Sequence, residues 1–252
     1  MSDYPFLLSE ARLLADIERK AAEFRGAGPF PHIVIDQFLP AAHIRFLEAG
    51  FPDPGHPIWL DWRKRSLHQY RKQGPGDASK FSLLEPELLM ALQEFNGWKF
   101  LDFLEALTGI RGLIPDPYFT GGGLHQILAG GLLDIHTDFN DYRKLFLYRR
   151  LNVLLYLNEG WEESWGGCLE LWDGGAATGK CVESIAPVFN RAVIFETDKN
   201  SFHGHPQPWN APGGITRRSI ALYYYTAWKQ AGSAYDGSTD FQGIAKGPAP
   251  AP

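Results

Sequence analysis

Leu132-Leu133-Asp134-Ile135-His136-Thr137-Asp138 is the stretch on which the reading of this chain turns. His136 and Asp138 are two positions apart, and on an extended strand such residues point to the same face. An imidazole nitrogen and a carboxylate oxygen can then reach one cation from one side. A second imidazole, returned from a distant strand, completes two histidines and one carboxylate around one face of a metal. That arrangement leaves coordination positions open and suits non-haem Fe(II). Ser201-Phe202-His203-Gly204-His205 supplies the second imidazole, and His203 is assigned as the third ligand beside His136 and Asp138. A His-x-Asp motif alone is weak, because it arises by chance in many chains. The segments around it carry the weight.

Working outward, the apolar period is two from Gly121 onward. Residues 124–128, 150–158, 166–172, 183–187, 190–195 and 217–225 read as short strands, with Gly121-Gly122-Gly123 and Gly130-Gly131 as turns or close backbone approaches. Many short strands with Gly-rich turns predict a double-sheet jelly roll. Before Gly121 the pattern is mostly helical. Leu14, Ile17, Ala21 and Phe24 predict one helix over residues 9–24 with Ser9 as its N-cap, and a strand follows at 31–38. A short helix follows Pro40, and residues 83–95 and 98–107 read as two more helices. Residues 51–80 show no steady period and read as a long irregular region, of the kind that is often functional. The expected architecture is α+β, mainly β: a double-stranded β-helix with N-terminal helices packed on one sheet. Residues 1–230 form one domain in this reading, with 1–119 helical and 120–228 the jelly roll, and 231–252 is a flexible tail.

The ordered run of His136-x-Asp138, Gly166-Gly167, His203 and Arg217-x-Ser219 resembles the 2-oxoglutarate and Fe(II)-dependent dioxygenase superfamily, and within it the prolyl 4-hydroxylase-like branch. The resemblance covers about residues 120–228. It implies a hydroxylase that converts 2-oxoglutarate to succinate and carbon dioxide while O2 hydroxylates an unactivated C–H bond, with ascorbate in a supporting role. It implies that Arg217 holds the far carboxylate of 2-oxoglutarate, since guanidinium grips carboxylate in a two-pronged geometry. Ser219 would face the same way and Arg218 the other, although a register slip of one residue would exchange the two arginines. Tyr156 stands where the prolyl hydroxylases carry a tyrosine on that carboxylate, the alternative being an ordinary core tyrosine. Gln126, ten residues before His136, stands where those enzymes carry a second tyrosine and is a departure from their pattern. His205 competes with His203 for the metal, but the family's register favours His203. His125 has no assigned role. Asp138 is intact where halogenating members carry a small residue, which points to hydroxylation.

Composition narrows the rest. The 252 residues carry a net charge of −5, which gives no reason to expect nucleic acid. The basic run Arg63-Lys64-Arg65 with Arg71-Lys72 reads as a solvated face. Cys168 and Cys181 cannot build a disulfide framework. No signal peptide and no membrane-spanning run is seen, so a cytoplasmic protein without membrane partners is expected. The expected substrate is a prolyl residue of a peptide or protein, a free amino acid, or a glycan or other small metabolite. Its pocket is expected from residues 51–80, 139–149 and 205–214. A non-catalytic jelly-roll binding module and a zinc hydrolase are the alternatives, and Arg217 has no obvious role in either.

Overall fold

The computed structural model describes residues 8–61, 67–229 and 239–242. Its helices are α1 (Glu10–Leu14), α2 (Ile17–Gly26), α3 (Ala41–Ala49), α4 (Pro86–Phe95) and α5 (Trp98–Thr108). The single helix expected over 9–24 is two, because Asp16 adopts φ 53° and ψ 32° and breaks the ladder between α1 and α2. Ser9 makes no side-chain cap. The helix expected from Leu83 begins at Pro86 instead. Proline supplies the helical φ and has no N–H to leave unpaired in a first turn.

The strands are β1 (His32–Ile35), β2 (Leu60–Asp61), β3 (Lys72–Gly74), β4 (Ile114–Pro115), β5 (Gly123–Ile127), β6 (Leu133–Thr137), β7 (Asp141–Tyr142), β8 (Leu147–Tyr156), β9 (Leu169–Trp172), β10 (Cys181–Ile185), β11 (Ala192–Glu196), β12 (Phe202–His205), β13 (Arg217–Thr226) and β14 (Asp240–Phe241). They form two antiparallel sheets. The larger runs β1-β11-β8-β13-β5-β3-β2, with β4 on β13 and β7 on β8; the smaller runs β10-β9-β12-β6-β14.

One buried apolar cluster joins helix and sheet residues. Phe24, Ile44, Leu88, Phe95, Phe100 and Phe103 share it with Leu151, Val153, Ile194, Ile220, Leu222 and Tyr224. The Phe100 and Tyr224 ring centroids are 5.8 Å apart, and the Tyr224 hydroxyl donates to the Phe95 carbonyl at 2.8 Å. That bond satisfies the one polar atom the strand sends into the cluster.

Two expectations change here. The irregular region over 51–80 contains β2 and β3, and β3 pairs with β5 through Lys72↔Ile127 and Gln73↔Gln126. Lys72-Gln73-Gly74 carries no apolar alternation, so nothing local marks it as a strand. Its partner strand makes it one. The tail expected over 231–252 contains β14, whose Phe241 lies opposite His136, while Gln242 donates its backbone N–H to the Ile135 carbonyl at 2.9 Å. The rest of that tail, and the Arg63-Lys64-Arg65 run, lie outside the described residues. Among the described residues no helix is long and apolar enough to cross a membrane.

Candidate metal and co-substrate site

His136 on β6 and His203 on β12 are a direct cross-strand pair, and Asp138 follows one residue after β6 ends. The backbones come close because residue 204, on β12 next to His203, is a glycine. A Cβ there would stand 2.7 Å from the Asp134 carbonyl oxygen. The His136 Nε2 is 3.7 Å from one Asp138 oxygen, the His203 Nε2 is 3.4 Å from the other, and the three candidate ligand atoms lie within 4.8 Å of one another. Each imidazole donates its Nδ1–H to a backbone carbonyl, His136 to Asp134 at 2.7 Å and His203 to Ser201 at 2.8 Å. A carbonyl only accepts, so these bonds fix the tautomer and leave each Nε2 a lone pair facing the carboxylate.

Electrostatics supports the same donor set. Burial, with His203 beside it, holds the His136 imidazole below its usual pKa and therefore neutral at pH 7. Burial works to raise the Asp138 carboxyl, but the charged surroundings, Arg149 foremost, more than offset it and hold it well below the usual range. Two imidazole lone pairs aimed at a buried carboxylate are satisfied by a cation among them. The three side chains therefore fit a divalent metal with open positions.

Arg149 is a site residue that sequence reasoning missed. Only 1% exposed, its guanidinium lies 3.0 Å from Asp138 Oδ2 and donates twice to the Asn152 side-chain oxygen, at 2.9 and 2.7 Å. The Asn152 amide in turn donates to Asp138 Oδ2 at 2.7 Å. Arg149 also stacks on Tyr223, 3.5 Å from the ring centre. Strict alternation along β8 puts residues 149 and 152 on opposite faces. The β8–β13 register shifts between Tyr224 and Tyr225, opposite residues 149–151, and such a bulge re-aims a side chain. Nothing in the sequence marks that bulge.

Arg217, 5% exposed, lines one cavity together with His136, Asp138 and His203. Its Nε donates to the Gly167 carbonyl at 2.7 Å, and its Nη2 donates to the Tyr156 hydroxyl at 3.4 Å. Gly167 has φ +72°, and a Cβ on it would stand 2.6 Å from Trp209 and 3.0 Å from the Arg217 chain. Only glycine lets the backbone approach here. Ser219 lines the same cavity, whereas Arg218 turns away and rests over Phe51. Tyr156 is fully buried and reaches the cavity through Arg217. Gln126 is the residue the fold does not bring in. Its amide donates to Gln73 at 2.7 Å on the face away from the cavity, so the co-substrate contact expected of it is withdrawn. Its neighbour His125 faces the cavity instead, with Nε2 donating to the Gly121 carbonyl at 2.8 Å. His205 also lines the cavity. It is absent from the His136–Asp138–His203 cluster, and among the described residues its buried Nδ1 has no hydrogen-bond partner.

The match of known families to this chain coincides with these strands: the model of the 2OG-Fe(II) oxygenase superfamily matches residues 122–225. Those residues are thus similar to that superfamily. A mouse protein, "Prolyl 3-hydroxylase OGFOD1", is 27% identical over 199 residues, covering 78% of this chain and 33% of that protein. The chain thus spans about a third of the length of the curated relative it matches. In fold it is similar to a Trichoplax adhaerens prolyl hydroxylase solved with a hypoxia-inducible-factor peptide, with TM-score 0.56, 18% identity and coverage of 84% and 91% of the two chains. It is also similar to a Phytophthora capsici prolyl 4-hydroxylase, with TM-score 0.54, 22% identity and coverage of 87% and 66%. These 2OG-Fe(II) oxygenases share the jelly roll. The likeness to that superfamily and the His136–Asp138–His203 cluster together support a site for Fe(II) and 2-oxoglutarate.

Proposed function

We propose that the protein hydroxylates an unactivated C–H bond of a prolyl or similar ring-bearing substrate, coupled to conversion of 2-oxoglutarate to succinate and carbon dioxide. The observation that carries this reading is one cavity lined both by the His136–Asp138–His203 cluster and by Arg217. The name of the mouse relative supports the prolyl choice. Bound Fe(II) would supply O2 activation, with oxidative decarboxylation of 2-oxoglutarate as the source of two electrons.

The chain's own residues do the rest. His136, Asp138 and His203 hold the metal through Nε2, carboxylate oxygen and Nε2. Arg149 and Asn152 fix the Asp138 carboxylate in charge and orientation. Arg217 takes the far carboxylate of 2-oxoglutarate with its Nη groups, because its Nε is engaged by Gly167. Tyr156 and Ser219 support that end. Leu154, Leu169 and Phe195 line the cavity with apolar surface and exclude water from the reacting centre. Cytoplasmic residence belongs to the same proposal.

The test is succinate formation by anaerobically iron-loaded protein given 2-oxoglutarate and then air. Succinate that requires iron, 2-oxoglutarate and O2 together is expected. Absence of both succinate and 2-oxoglutarate binding would sink the reading.

A further inference from the structure

Lys72 lies on β3, where pairing with Ile127 turns its side chain toward the cavity while Gln73 and Gln126 meet on the other face. It lines two adjoining cavities. One is the metal and co-substrate cavity. The other, about 120 Å³, is bounded by Phe139, Arg149, Tyr223, Phe241 and again His136 and Asp138. Among the described residues the Lys72 ammonium has no hydrogen-bond or ion-pair partner. Burial lowers its pKa to about 8, with Asp138 opposing and Arg149 and Arg217 reinforcing the drop, so at pH 7 most of the population is cationic. A half-buried cation without a partner is costly unless an anion joins it.

The proposed reaction provides no such anion. Arg149 is committed to Asp138 and Asn152. Arg149, Arg217, Lys72 and a divalent metal outnumber Asp138 and the 2-oxoglutarate dianion by two positive charges, and the far carboxylate of 2-oxoglutarate is assigned to Arg217. With metal and 2-oxoglutarate in place, Lys72 is the cation left over, beside an aromatic-walled chamber next to Asp138. One ammonium in a chamber of this size suits a carboxylate. A phosphate would call for several donors converging on it, and the Arg149 fork is already occupied.

We propose that Lys72 anchors a carboxylate of the substrate in the chamber walled by Phe139, Tyr223 and Phe241, so that the enzyme acts on a small carboxylic acid of the free imino- or amino-acid class rather than on an internal prolyl residue. This rests on the hydroxylase reading and adds the substrate class to it.

The experiment is calorimetric titration of full-length protein loaded with Mn(II) and 2-oxoglutarate, without turnover. L-Proline and L-pipecolic acid are compared with their carboxamides, in the native protein, in Lys72→Met and in Lys72→Arg. An acid preference of about tenfold or more in Kd is expected in the native protein, kept in Lys72→Arg and lost in Lys72→Met. Lys72→Gln gives the same reading if Lys72→Met does not fold. Equal binding of acids and amides, including no binding of either, overturns the proposal. So does an acid preference that survives in Lys72→Met. Titration of 2-oxoglutarate runs in parallel, and a loss confined to it assigns Lys72 to the co-substrate and overturns the proposal too. Binding of acids read this way stands apart from succinate formation, so failure of the hydroxylase reading is seen separately.

Discussion

At the scale of single residues, the site depends on a few atoms whose hydrogen bonds are already assigned. His136 and His203 each spend Nδ1 on a carbonyl and turn Nε2 toward Asp138. His136→Ala, Asp138→Ala and His203→Ala should each abolish metal retention and succinate formation, whereas His205→Ala should keep stoichiometric metal. Metal analysis after desalting checks both. Arg217→Ala should weaken 2-oxoglutarate about 10–100-fold, the worth of a lost charged hydrogen-bonding pair, and leave metal affinity nearly unchanged. Separate titrations of Mn(II) and 2-oxoglutarate distinguish these effects. Gly167→Ala should act on the same end from behind. With φ at +72° and Trp209 and the Arg217 chain in the way, even a methyl group must displace them. A loss of about 1–3 kcal/mol in chemical denaturation, with weakened 2-oxoglutarate binding, is expected.

At the scale of elements, the helical front half and the strands share one apolar cluster, and α5 contributes much of its aromatic surface. Phe100 touches Phe38, Phe95, Phe103 and Tyr224. Phe100→Ala should cost about 3–5 kcal/mol and lower Tm without changing His136, Asp138 and His203, which sit on or directly beside β6 and β12. Strands with apolar alternation, β6, β8 and β13, were legible in the sequence because period two is a local signal. So was the pairing of His136 with Asp138 on one face. Two elements were not. β3 is polar and three residues long, and only its partner makes it a strand; Lys72 was therefore read as part of a solvated basic run. The β8–β13 bulge is equally invisible, since it belongs to the pairing of two strands rather than to either one. It brings Arg149 to Asp138 against the alternation rule. Gln126 failed for a related reason. A position counted back from His136 does not fix the face of a strand, and β5 turns His125 inward.

At the scale of the whole molecule, the two sheets close on each other from opposite ends of the chain. β3 extends the larger sheet beside β5, and β14 extends the smaller sheet beside β6, so segments about 170 residues apart border one chamber. Phe241 stacks on His68 with ring centres 5.0 Å apart and lies 5.3 Å from the His136 ring. Ending the chain at Lys229 should leave metal and 2-oxoglutarate binding in place, because their residues all precede it. It should remove one wall of the chamber and reduce substrate-stimulated over uncoupled succinate formation, a ratio that steady-state assays give directly. β3 carries a wider consequence. It sits near the edge of its sheet, joined to the barrel chiefly through β5, while the candidate metal and co-substrate residues lie on or directly beside strands further in. A lineage, or an engineer, can rewrite this short peripheral segment to recruit a new substrate without relearning the chemistry. The oxidising machinery and the means of choosing its target are then inherited as separable modules.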